Sequence, residues 1–168
     1  MVISMYQASA PRFLIMLGNL SGILDKAQAY SDLRQLDPAT LPGCRLYPDM
    51  LPLARQVQIA CDTAKGAVAR LAGVDNPRHE DTEKTLSELQ ARIAKTVTFI
   101  KEFKPAQIDG SEDKDLAIKL GKSEVQWKGM QYLLGFALPN FYFHVATAYD
   151  ILRHNGVELA KRDYIGNP

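Results

Sequence analysis

Polar side chains that could do chemistry share one helical face near the C-terminal end of the sequence. Asn140 and His144 are four residues apart, and Thr147 follows three residues later, so an α-helix would present all three on one side. Many neighbouring residues are aromatic, and an unpaired polar group buried among them costs about 1–3 kcal/mol. The face therefore needs polar partners. We expect these to be Gln58 and Asp62, which stand four residues apart at the edge of an earlier apolar stripe.

Two kinds of site fit this set of side chains. The first is a divalent-metal site, with zinc or nickel bound by His144 and by the carboxylate of Asp62 or Asp49. A catalytic zinc site normally has three protein ligands from His, Cys, Asp or Glu, whereas the amides of Gln58 and Asn140 offer only weak oxygen ligands. The second is a buried imidazole held by hydrogen bonds. The ligand count favours the second kind, so no cofactor is expected, and His144 is the metal ligand if a metal binds.

The remaining titratable and nucleophilic residues give weaker signals. His79 lies in a charged, proline-containing stretch and is expected to be solvated, while His154 falls in a final helical turn, where a cation is favoured. Cys61 lies on an apolar stripe and is expected to be unreactive, with Cys44 the more accessible thiol. The sequence has neither the Gly-x-Ser-x-Gly motif of α/β-hydrolases nor a glycine-rich phosphate loop.

The composition is that of an ordinary globular domain. The 168 residues are 46% hydrophobic and 23% charged, with a net charge of +1, which argues against a disordered chain and against a basic nucleic-acid binder. Two cysteines without a CxxC pair exclude a disulfide framework and a zinc ribbon. No apolar run approaches the ~20 residues that span a bilayer, and residues 13–17 are expected to form a core helix rather than a signal peptide. We therefore expect a cytoplasmic protein without nucleic-acid or membrane partners.

Hydrophobic periodicity predicts the elements that position these side chains. It indicates four long helices, at about residues 4–33, 53–72, 81–103 and 130–155, the last of them broken at Pro139. A proline-rich loop without helix, residues 37–52, joins the first two. Alternating apolar residues between 115 and 128, with a turn at Gly121-Lys122, predict a β-hairpin. Residues 1–168 are thus predicted to form a single all-α domain, a four-helix bundle with a small β-hairpin insertion before the last helix.

Short motifs along nearly the whole chain resemble those of the DinB/YfiT-like superfamily, and more closely those of an uncharacterised bacterial branch known as a domain of unknown function. In order, they are Ser4-Met5-Tyr6, Leu46-Tyr47-Pro48-Asp49-Met50, Arg55-Gln56-Val57-Gln58-Ile59-Ala60, Asp109-Gly110-Ser111-Glu112, Ala137-Leu138-Pro139-Asn140-Phe141-Tyr142-Phe143-His144 and Arg153-His154-Asn155-Gly156-Val157. The resemblance implies a DinB-like four-helix bundle with an unusual connection, and a homodimer. It also implies a divalent metal held by one histidine on the second helix and a His-x-x-x-His pair on the last, which in some relatives activates a thiol for transfer or isomerisation.

The residues of this chain depart from that ligand pattern. Asn140, His144, Arg153 and Gly156 match the spacing on the last helix, so an asparagine takes the place of the first histidine of the pair. The ligand on the second helix falls near Gln58. The resemblance therefore implies a degenerate, metal-free pocket around His144 that binds a small molecule. Two alternatives stay open: a divalent-metal-dependent thiol transferase or isomerase with an atypical ligand set, and a dimeric interaction or scaffold protein.

Overall fold

The N-terminal helical region is divided at one serine. In the computed structural model, which describes residues 3–120 and 123–166, α1 covers Met5–Ala8 and α2 covers Ala10–Arg34. Ser4 caps α1, because its hydroxyl accepts from the Gln7 backbone N–H at 3.3 Å while the Gln7 side chain accepts from the Ser4 N–H at 3.2 Å. Ser9 has φ −116° and ψ −86° and interrupts the helix. The predicted first helix is therefore confirmed, with a break that periodicity does not reveal.

The loop and the two helices that follow lie close to their predicted positions. A single turn, α3 (Thr40–Gly43), occupies the loop that was predicted to have no helix. Pro42 is tolerated there, since the N–H groups of a first turn have no helical partner. α4 covers Leu53–Ala72 and ends at Gly73, which has φ +75°. α5 covers Leu86–Lys101, and it begins later than predicted because Thr85 forms a capping box with Glu88.

A short helix and the predicted hairpin come next. After α6 (Pro105–Ile108), strands β1 (Asp115–Leu120) and β2 (Ser123–Lys128) pair antiparallel, with Leu116 opposite Trp127 and Ile118 opposite Val125. Leu116 and Ile118 are buried, so this face of the hairpin packs on the helices. The predicted turn at residues 121–122 lies outside the described residues.

The last helical region is continuous where a break was expected. α7 (Gly129–Tyr132) runs through a π-helical turn, Leu133–Ala137, into α8 (Leu138–His154), and a short α9 (Lys161–Ile165) follows. Pro139 stands in the first turn of α8, directly after the π-helical turn. A proline lacks an N–H and its ring clashes with the carbonyl four residues earlier. The widened turn changes that spacing, so the chain stays helical past Pro139.

The four long helices contact one another around one hydrophobic core. α4 packs against α8 and α5, and α2 packs against α5, α8 and the short α9. The Phe13 and Phe141 rings meet edge to face in the interior, with centroids 4.9 Å apart. These observations confirm a mainly helical fold with a small hairpin ahead of the last long helix. Within the described ranges, the helices are all too short or too polar to cross a membrane.

Candidate functional site

The buried imidazole of His144 is held by an amide of α4. Its Nδ1 lies 2.7 Å from Oε1 of Gln56, and both side chains are buried at the contact between α4 and α8. The Nε2 of Gln56 donates to the Leu51 carbonyl at 3.0 Å. Only the amide nitrogen can donate to a carbonyl, so this second bond fixes the orientation of the amide and turns its oxygen towards the ring. Nδ1 of His144 therefore carries the proton and donates a hydrogen bond to Oε1 of Gln56.

The other ring nitrogen of His144 is a free acceptor. Among the described residues Nε2 has no hydrogen-bond partner, and it is not one of the fully enclosed polar atoms, so it keeps contact with solvent although the residue is only 8% exposed. Burial, and then the charge of Arg55, lower the pKa of His144 below its ordinary value. The ring is thus neutral at pH 7. The exposed ring of Phe143 stands edge-on to it, with centroids 5.2 Å apart.

Asn140 forms a second contact of the same kind one turn earlier on α8. Its Nδ2 donates to Oγ1 of Thr63 at 2.9 Å. Gln56 and Thr63 are seven residues apart on α4 and so lie on one face, the face that meets α8. We call the two pairs, Gln56–His144 and Thr63–Asn140, the polar ladder. The hydroxyl of Thr147, on the same face of α8 by spacing, donates back to the Phe143 carbonyl at 2.7 Å and does not join it.

Gln58 and Asp62 do not belong to this ladder, which corrects their expected role as partners of His144. Two residues along a helix rotate a side chain by about 200°, so Gln58 lies on the far side of α4 from Gln56. Its Nε2 donates to Glu83 at 2.8 Å, and Oδ2 of Asp62 accepts from Arg92 at 2.9 Å. The apolar stripe of α4 has a polar edge on each side. Gln56 and Thr63 lie on the edge that faces α8, whereas Gln58 and Asp62 lie on the edge that faces α5.

Arg92 of α5 organises that second edge. Its side chain is 1% exposed and forms ion pairs with Asp62 at 2.9 Å, Asp81 at 3.0 Å and Glu83 at 3.0 Å. It also donates to the Glu80 carbonyl at 2.9 Å. These contacts anchor residues 73–85, which we call the α4–α5 connection, onto both helices. Burial opposes the charge of Arg92, but the hydrogen bonds that it donates to Glu83 and the charge of Asp62 outweigh this effect and raise the pKa of Arg92, so the guanidinium stays charged.

Comparison with known proteins assigns the chain to a family. Residues 5–165 match the model of DUF1993, a domain of unknown function. The chain belongs to the DUF1993 family. A crystal structure of a DinB family member protein from Shewanella denitrificans is also similar, with 42% sequence identity, a TM-score of 0.87 and coverage of 97% of this chain and 92% of that one. No curated protein matches the sequence. The resemblance to a DinB-like domain of unknown function is therefore confirmed.

The donor set of this DUF1993 chain does not fit a divalent metal of the kind that the DinB resemblance implies. Across residues 3–120 and 123–166, no group of three His, Cys, Asp or Glu side chains lies close enough to hold a metal ion. The position beside His144 is filled by the Gln56 amide, and the position one turn earlier on α8 is Asn140. Asp62 is engaged by Arg92, while Asp49 is exposed on the loop before α4. One imidazole with two carboxamides is a hydrogen-bonding set rather than a ligand set.

Two members of the ladder escaped the sequence analysis of this DUF1993 chain. Gln56 was seen only as part of a motif, and Thr63 was not considered. A signal for both exists in the sequence, because Gln56 and Thr63 are seven residues apart and Asn140 and His144 are four apart. Each spacing places its two residues on one face of a helix. The sequence alone does not say which edge of α4 faces α8.

Proposed function

We propose that this DUF1993 member is a DinB-type four-helix bundle whose central site works without a metal and binds a small molecule at His144. The observation that carries the proposal is the tautomer of the His144 ring and the contacts of its two nitrogens. Nδ1 is committed to Gln56, and the neutral Nε2 lone pair is left at the solvent edge of the α4–α8 contact. This is a binding position for one hydrogen-bond donor, built from side chains that are otherwise satisfied.

The chemistry of the position selects the class of ligand. A neutral imidazole nitrogen with a low pKa accepts a hydrogen bond, so the ligand should present an O–H or N–H group. The nearby charge of Arg55 disfavours a cationic donor. The Phe143 ring, 56% exposed beside His144, offers an apolar surface. Together these features favour a neutral, partly apolar hydroxyl or amide compound. We propose no catalytic step, because the group beside the imidazole is an amide that neither gives nor takes a proton at pH 7.

The wider predictions stay as proposals of the same kind. We propose that the chain is a homodimer located in the cytoplasm, without nucleic-acid partners. The DinB-like relative supports the bundle arrangement, and the pairwise contacts of α2, α4, α5 and α8 agree with it.

Restoring the missing imidazoles tests the metal-free assignment. Zinc chloride and nickel chloride are titrated by calorimetry into the wild-type chain and into the double variant Gln56→His/Asn140→His, which brings the imidazoles at this contact to three. We expect no stoichiometric binding by the wild type and one equivalent bound by the double variant. The matched control is Gln58→His/Asn140→His, whose second-helix imidazole lies on the opposite side of α4 and should raise affinity less.

Phenol serves as the probe for the ligand class. We expect phenol to shift the ring nitrogen signals of His144 in a saturable way, and we expect the heat of phenol binding, measured by calorimetry, to be lost in His144→Ala and retained in His154→Ala, whose site is the exposed end of α8. Stoichiometric zinc binding by the wild type that is lost in His144→Ala would contradict the metal-free assignment. A His144 signal that phenol leaves unchanged would contradict the hydrogen-bonding class.

A further inference from the structure

The outward side of the last helical region is uncharged along most of its length. From Gly129 to Tyr149 the sequence has no Asp, Glu, Lys or Arg, although 23% of the whole chain is charged. Charged residues return at Asp150, which is exposed. A helix that packs one side on a core normally turns charged and polar side chains to water on the other. An outward side that stays uncharged indicates a surface that another molecule covers.

The exposed apolar side chains of this region lie along one line. They are, in order, Met130, Leu134, Pro139 and Phe143. The steps between them are four, five and four residues. A four-residue step keeps two side chains on one side of an α-helix, and the five-residue step falls at the π-helical turn, where the bonding step is also five residues. The widened turn thus keeps the two halves in register. We call these four residues the apolar line.

The apolar line leads onto the loop before α4. Its last member, Phe143, stands edge-on to His144. Gln56 bonds the ring of His144 and also the carbonyl of Leu51. Leu51 is 43% exposed, and Tyr47 on the same loop is 66% exposed. The exposed apolar surface therefore extends from α7 across α8 to this loop, past the solvent edge of His144.

The size of the surface shows which part the apolar line can play. At 1.5 Å per residue and a helix width of about 10 Å, the line offers roughly 200 Å². A stable interface buries about 800 Å² on each partner. The apolar line is thus large enough to form the centre of an interface, and the loop with Tyr47 and Leu51 adds to it on one side. Trp127 of β2, half-buried against Phe136 with ring centroids 6.4 Å apart, borders the other side.

The lack of charge on this surface favours a second copy of the same chain as the partner. In an interface with two-fold symmetry, each residue near the axis meets its own counterpart, so a charge placed there would face a like charge. The apolar line has no charge to be opposed in this way. A different partner would be steered and selected by complementary charges, and the line offers none.

We propose that the apolar line is the centre of a two-fold interface between two copies of this chain. The inference rests on the homodimer of the proposed function and adds which surface forms it. Leu33 of α2 is more exposed, at 81%, but the exposed charges of Asp32 and Arg34 flank it. In the proposed dimer the partner subunit covers Phe143, and the solvent edge of His144 lies at the rim of the interface.

Sedimentation equilibrium over a range of micromolar concentrations tests this interface, with Leu134→Glu as the variant. We expect a dimer for the wild type. Each copy of the added charge should weaken association about tenfold, so the dissociation constant should rise about a hundredfold. Leu33→Glu is the matched control, since it makes the same change at an exposed leucine of α2, and it should leave the dimer intact. Both positions are exposed, so the fold should persist, and a thermal melt checks it.

An exchange of charge separates loss of the interface from loss of the fold. A mixture of Leu134→Glu and Leu134→Lys should associate more strongly than either variant alone, because only the mixed pair places opposite charges in one interface. A monomeric wild type would overturn both the homodimer and this inference. A dimer that Leu134→Glu leaves intact, or that Leu33→Glu weakens as much, would overturn the interface alone. The zinc and phenol titrations test the site at His144 separately.

Discussion

Replacing Arg92 with methionine tests whether its guanidinium holds the α4–α5 connection in place. Methionine keeps much of the volume of the side chain but removes every ion pair and hydrogen bond. The most affected partner is Glu83, whose side chain is 13% exposed and which receives two hydrogen bonds from Arg92, at 3.0 and 3.2 Å. The side-chain bond from Gln58 would remain to it. The carboxylate would then be largely buried without a cationic partner.

The magnitude follows from the exposure of each partner. A hydrogen bond to a charged group contributes on the order of 1.5–3 kcal/mol when buried. Asp62 and Asp81 are 41% and 40% exposed, so their pairs are discounted to the range of about 0–1 kcal/mol each. The sum is about 3 kcal/mol of unfolding free energy for Arg92→Met. In a chain of this length, that corresponds to a fall in Tm of about 6–12 °C.

Urea and thermal unfolding measure the change, with Arg55→Met as the control. Arg55 also pairs with Asp81 and also bonds Gln58, but it is 38% exposed, so its removal should cost no more than about 1 kcal/mol. The pH dependence gives a second readout. Burial alone would raise the pKa of Glu83, but the hydrogen bonds from Arg92 and other donors outweigh it and lower that pKa.

Because the pKa of Glu83 is lower in the folded state, the stability that its ionised carboxylate contributes is complete above the ordinary glutamate pKa of about 4.3. This stability is lost as the pH falls through the pKa of Glu83 in the folded protein. The gap between wild type and Arg92→Met should therefore narrow in acid below about pH 4.3. A loss from Arg92→Met no greater than that from Arg55→Met would refute the reasoning, as would a gap that stays constant down to pH 3.

Three further predictions concern titration, backbone conformation and thiol reactivity. Because the folded pKa of His144 is lowered, stability should fall as the pH drops from about 6.5 through that folded value, and His144→Gln should flatten this part of the pH profile in urea melts. Gly156 has φ +95°, so Gly156→Ala should lower stability by about 1–2 kcal/mol, whereas Gly22→Ala, in a helix with open space at its Cβ, should raise it by up to about 1 kcal/mol. Cys61 is fully buried, and burial raises its pKa to about 12, so mass spectrometry after iodoacetamide treatment of the native protein should find Cys44 modified and Cys61 intact.

The local signals in the sequence were enough for the order of the elements. The Ser4 and Thr85 caps, the Gly73 stop and the alternation in the hairpin each act through contacts within a few residues, so they can be recognised without knowing the rest of the fold. Pro139 shows where such a rule fails. Its missing N–H predicts a break, but a π-helical turn just before it changes the local spacing, and the chain stays helical past Pro139.

The composition of the site depends on which side of α4 faces α8, and the sequence alone does not determine this. The need of His144 for a polar partner was evident from its aromatic surroundings. The choice between Gln56 and Gln58 was not, because both are buried polar residues flanking the same stripe, and each satisfies a different neighbour. The Arg92 network was missed for the same reason, since its carboxylates come from α4 and from the connection.

The ring nitrogens of His144 give the most direct test of the central claim, that a neutral imidazole is locked by Gln56 and holds no metal. Long-range proton–nitrogen correlation spectra at pH 7, recorded before and after one equivalent of zinc chloride, report the tautomer. We predict a proton on Nδ1, a bare Nε2 and no change with zinc, and a loss of the fixed tautomer in Gln56→Ala but not in Gln58→Ala. A proton on Nε2, or a zinc-dependent shift of either nitrogen, would contradict it.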